Sequence, residues 1–71
     1  MTNSKVNLDL TRGNVCDILR AITSVRVSFM AEIADESTSE DRREVAKSSL
    51  NMWNKLRDEI KIQLAKHDAG L

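Results

Sequence analysis

At 71 residues, with one cysteine, one histidine and 11 acidic against 11 basic side chains, the chain is excluded from several classes of protein. A chain this short encloses a thin core and usually needs a disulfide, a metal or a partner chain; Cys16 alone forms no internal disulfide, and Cys16 with His67 is too few for an all-Cys/His zinc cage. Zero net charge argues against retention on nucleic acid by bulk charge, and no membrane-length apolar run or signal-peptide pattern is visible, so the expectation is a soluble, cytoplasmic protein without cofactor or metal whose extra burial comes from another chain.

The chain reads as a single domain over residues 1–71. Residues 1–4 are polar and predicted to fray. Over residues 5–10, Val6, Leu8 and Leu10 alternate with Lys5, Asn7 and Asp9, the period of a half-buried strand. A lone strand has unpaired backbone groups along both edges. The segment is therefore expected to be an extended lead-in that packs its apolar side chains on helices, with pairing to a second subunit as the alternative.

Thr11 is a suitable N-cap, with Asn14 three residues on and Asp17 close to the positive end of the helix dipole. A first helix is predicted over residues 12–35, carrying the stripe Val15, Ile18, Leu19, Ile22, Val25, Phe29 and Ile33 at steps of three and four. The polar run Asp35-Glu36-Ser37-Thr38-Ser39 interrupts it. Ser37-x-x-Glu40 fits a capping box, with Ser39 as a competing cap. A second helix is predicted over residues 38–67, with the stripe Val45, Ser49, Met52, Trp53, Leu56, Ile60, Gln63 and His67. Glu40–Arg43 and Glu44–Lys47 are expected surface pairs. Lys66 and His67 complement the dipole, and Gly70 stops the helix. So short a connection folds the helices back antiparallel, giving an all-α two-helix hairpin.

On a wheel of about 100° per residue, each helix has an apolar shoulder beside its stripe: Cys16, Thr23, Val27 and Met30 on the first, Ala46, Leu50, Trp53 and Leu64 on the second. Two facing helices need one stripe apiece. The shoulders predict a second contact, a homodimer forming a four-helix bundle or a higher oligomer, with Val27, Met30, Leu50 and Trp53 at the interface.

Arg26 interrupts the first stripe. A buried guanidinium costs several kcal/mol unless paired. It either lays its stem along the stripe with its head in water, or meets a carboxylate of a second subunit or a small anionic ligand. Folding symmetrically about Glu36 and Ser37 would bring it near Ser48 and Ser49. His67 has only Asp9 and Cys16 as catalytic companions, and their spacing supports neither. Cys16 reads as a small hydrophobe and Trp53 as a core or interface anchor. No catalytic residue is assigned, and the chain is not expected to be an enzyme.

Two resemblances complete the reading. The stretch Val6-Asn7-Leu8-Asp9-Leu10-Thr11, a helix, then Trp53-x-x-Leu56-x-x-Glu59-Ile60 ending near His67-Asp68 resembles small helical-hairpin proteins encoded by bacteriophages. This resemblance implies an accessory protein that works in the bacterial host cytoplasm by binding and modulating a host or phage protein, with no general activity to transfer. Lys5 to Leu10 and Ser39-x-x-Arg42 also resemble ribbon-helix-helix DNA-binding regulators. Against that, the predicted first helix is about twice that family's length, and Asp9 would face a groove lined with phosphates.

Overall fold

The computed structural model describes residue 6 and residues 8–70. Residues 1–4, Lys5 and Asn7 of the predicted lead-in, and residue 71 lie outside the described residues. Two helices, α1 (Arg12–Ala34) and α2 (Glu40–Ala69), pack against each other, and no strand occurs among the described residues. Ion pairs fix their antiparallel sense. Glu32 near the end of α1 pairs with Arg42 near the start of α2, whereas Arg12 at the start of α1 pairs with Asp68 near the end of α2.

The boundaries follow from local hydrogen bonds. Thr11 Oγ1 accepts the Asn14 N–H at 3.0 Å, so the expected N-cap of α1 is present. The first turn of α1 contains no acidic residue; Asp17 instead pairs with Arg20 one turn on. α1 stops one residue before the predicted end because Asp35 is extended (φ −76°, ψ 118°). Asp35 Oδ1 accepts both the Ser37 N–H at 2.9 Å and the Ser37 hydroxyl at 2.7 Å, which builds the turn and occupies Ser37. The α2 cap consequently falls to Ser39, whose Oγ accepts the Arg42 N–H at 3.2 Å, not to the Ser37 capping box. At the other end α2 runs through Ala69, two residues beyond the predicted stop, and Gly70 closes it with N–H bonds to the Lys66 and His67 carbonyls.

Packing on α1 follows the predicted stripe except at Ile18, which is exposed. Ile22 is 2% exposed, and Val15, Leu19, Val25, Phe29 and Ile33 are half-buried. α2 requires a correction. The side chain that α1 covers completely is Ala46, 0% exposed, with Arg43, Leu50, Trp53, Arg57, Ile60 and Leu64 half-buried. These seven positions alternate steps of three and four, the seam of a helix pair. The stripe predicted for α2 shares Trp53 and Ile60 with this seam, and Ser49 is half-buried, but its other members lie beside it: Val45 is 52% and Met52 71% exposed, and Leu56, Gln63 and His67 are also exposed. The physical reason is the methyl-sized Ala46, which lets the helix axes approach where a larger side chain would hold them apart.

Arg43 takes part in this seam for its own reason. Its Nε donates to the Ile33 carbonyl at 3.1 Å, and its Nη2 to the Asp35 and Thr38 carbonyls at 3.0 and 3.3 Å. A cation at the negative end of α1 thus satisfies the Ile33 carbonyl, whose helical donor, the Ser37 N–H, goes to Asp35 instead, and braces the connection through Asp35 and Thr38. Engaged there, Arg43 does not form the expected pair with Glu40, whereas Lys47 and Glu44 do pair at 3.6 Å.

Among the described residues Ile22 and Ala46 are the buried hydrophobic side chains. The core between the two helices is correspondingly thin, as a chain of this length dictates.

Candidate interaction surface

Side chains at the edge of the seam and beyond it define two connected grooves. The first, about 310 Å³, is lined by Ser49, Met52, Trp53 and Leu56 on the outer flank of α2. Helical spacing creates it: Ser49, Met52 and Leu56 repeat at three and four residues, and the small Ser49 leaves a hollow between larger neighbours. The second, about 760 Å³, lies at the open end of the hairpin; its apolar wall is Val6, Leu8, Leu10, Val15, Ile18, Leu56, Ile60 and Leu64, and Arg12, Glu59, Gln63 and His67 add polar groups to its lining. Leu56 borders both, so the apolar surface is continuous along α2.

The lead-in departs from its predicted half-buried state. Val6 and Leu8 border the open-end groove yet are 78% and 71% exposed. With no neighbouring strand among the described residues, the segment lies over the groove without filling it.

Of the predicted interface residues, Leu50 and Trp53 are half-buried within the hairpin, while Val27 and Met30 are exposed on α1. The structure therefore does not gather the four into one patch: two contribute to the seam and two lie outside it. The sequence reading missed Val45, Met52 and Leu56 as exposed residues because it assigned them to the inner stripe. Their 3–4 spacing was visible; the choice between two adjacent apolar stripes depended on Ala46.

Arg26 is half-buried, and its Nε donates to Asn54 Oδ1 at 2.5 Å. The symmetric fold would have placed it near Ser48 and Ser49. The offset has a simple origin: helical side chains lean toward their helix N-terminus. For Arg26 that direction is the open end, hence toward higher numbers on α2. The ion pairs among the described residues do not include Arg26, so its near partner is a neutral amide.

At the open end Arg12 grips Asp68 with two donors, Nε to Oδ1 at 3.3 Å and Nη2 to Oδ2 at 3.1 Å. Those bonds hold the Asp68 carboxyl below the usual carboxylate range, with a smaller contribution from His67. Asp35 is lowered too, by the Ser37 hydroxyl first and the Ser37 N–H second. His67 Nδ1 lies 3.6 Å from Asp68 and is exposed; Asp9 is exposed and Cys16 half-buried. No group of three or more His, Cys, Asp or Glu side chains able to hold a metal occurs among the described residues. No helix among them is long and apolar enough to cross a membrane.

Comparison with protein-family models, curated proteins and solved structures returned no match. What the geometry defines is a helical hairpin with an apolar flank.

Proposed function

We propose that this chain is a non-enzymatic small interaction protein that self-associates and acts by binding and modulating another protein. The single observation that carries the reading is the contrast between a core of Ile22 and Ala46 and the exposed apolar side chains Val27, Met30, Val45, Met52, Leu56 and Ile62. Fully burying a Leu, Val or Met side chain contributes about 1.5–3 kcal/mol, so covering the exposed apolar side chains of even one face, such as Val45, Met52 and Leu56, adds stabilisation that the hairpin alone does not obtain. The bacteriophage resemblance supports an accessory role of this kind in a bacterial host.

The other two readings receive less support. A ribbon-type DNA regulator needs its lead-in paired as a strand, and the described part of that segment is outside any strand. An anionic-ligand site built on Arg26 would have only the remaining guanidinium donors, because Asn54 engages Nε.

Sedimentation equilibrium and thermal melting over a range of concentrations test the proposal. The expected result is a mass above that of one 8.0 kDa chain and a melting temperature that rises with concentration. A monomer throughout, with a concentration-independent melt, overturns it.

A further inference from the structure

We infer that the outer flank of α2 is the contact surface for a second copy of this chain, with the two α2 helices antiparallel about a twofold axis crossing near Met52 and Leu56. The inference rests on the self-association proposed above and specifies the face and direction.

Three observations converge on it. The first is position. α2 spans Glu40–Ala69, and its middle lies between Asn54 and Lys55. Met52 and Leu56, 71% and 46% exposed, straddle that middle. Full antiparallel overlap of two α2 helices therefore sets the apolar centre of one on that of the other.

The second is shape. Ser49 opens the hollow between Met52, Trp53 and Leu56. A twofold axis makes such a contact self-complementary, so each copy offers both the hollow and the methionine that enters it. Methionine is flexible enough to fill a hollow of this kind.

The third is charge. α2 opens with Glu40 and Asp41 and closes with Lys66 and His67. Antiparallel pairing brings each acidic start beside a basic end, whereas parallel pairing aligns like charges. At about 100° per residue, Asp41 and Lys66 fall on the same edge of the Val45–Met52–Leu56 stripe. In an antiparallel pair, equal edges of the two helices face each other, so Asp41 of one copy lies beside Lys66 of the other. The shoulder of Val27 and Met30 falls on the opposite face of the hairpin.

Sedimentation equilibrium on single variants tests the face. Met52→Glu and Leu56→Glu should each raise the dimer dissociation constant about a hundredfold or more, as a charge set against an apolar partner does. Val27→Glu and Met30→Glu should leave it within about threefold. Direction is tested at two exposed positions whose exchange spares the seam. Asp41→Lys and Lys66→Glu should each weaken the dimer about tenfold, and the double variant should return it close to wild type, as oppositely charged neighbours do in a mutant cycle. A dimer that survives Leu56→Glu but dissociates with Val27→Glu overturns the assigned face and leaves self-association standing. A double charge variant no better than its parents overturns the antiparallel direction. A wild-type monomer overturns this inference together with the reading it rests on.

Discussion

Arg26 and Asn54, 28 residues apart in the chain, share a 2.5 Å hydrogen bond across the seam of the hairpin. The pair matches a charge with a neutral amide, so the guanidinium keeps its other donors for water or a further partner. Asn54→Leu should cost about 1–3 kcal/mol, because it removes a hydrogen bond to a charged, half-buried group. Arg26→Leu should cost less, about 1 kcal/mol or under: it leaves half-buried Asn54 without its partner, but the orphaned group is a neutral amide and apolar volume fills the seam. Urea unfolding of the two variants and their double mutant checks the order. Should Arg26→Leu prove the more damaging, its guanidinium has a partner beyond Asn54.

Arg43 and Arg42 are neighbours in sequence with unequal expected worth. Arg43 serves three carbonyls at the junction between helices; Arg42 makes an ion pair with Glu32 from a side chain 55% exposed. Arg43→Ala should cost about 1.5–3 kcal/mol through charge-assisted bonds and the α1 dipole. Arg42→Ala should stay within about 1 kcal/mol, the range of exposed pairs. Thermal melts compare them directly, and equal losses would count against the capping role.

Ala46 sets the approach of the helices. Ala46→Leu adds methylene groups where no surface is exposed, and overpacking of that kind costs about 1–3 kcal/mol. Val45→Leu, one residue away on an exposed site, should change stability by no more than about 0.5 kcal/mol. Chemical denaturation of both variants reads the difference, and equal effects would argue against the close contact at Ala46.

Acid should weaken the hairpin through Asp35 and Asp68. Each carboxyl titrates lower in the folded chain than its ordinary value of 3.8. A lowered carboxyl binds its proton less readily when folded, so its stabilising contribution is present above the unfolded value and is lost as pH falls through the folded one. The loss should therefore appear below about pH 4. Asp68→Asn should flatten that part of the melting-temperature profile, and an unchanged acid limb would mean Arg12 gives Asp68 no stabilisation.

The α1 stripe, the Thr11 cap, the short connection and the Gly70 stop were legible because each depends on residues within one or two turns. The α2 stripe was not. Arg43 and Arg57 dilute the hydrophobicity of the true seam, whereas Val45, Met52 and Leu56 make the outer flank look like a core. What decided between them was the size of Ala46 and the carbonyls at the far end of α1, and both are tertiary facts. The Arg26 partner was misplaced for a related reason: a symmetric count along the hairpin omits the lean of helical side chains. The candidate surface was legible as surplus apolar residues, but its location depended on the same choice of stripe.

The Arg12–Asp68 clasp joins positions 56 residues apart, which has a kinetic consequence. Contacts beside the turn, such as Arg43 with Ile33, close short loops and are reached early; a contact of this separation costs the most loop entropy and pays it last unless the helices have already zipped. On that order the clasp is expected to form after the folding barrier and to act as a latch on the way out. Arg12→Ala should accordingly speed unfolding while leaving the refolding rate nearly unchanged, a split that stopped-flow chevrons would resolve.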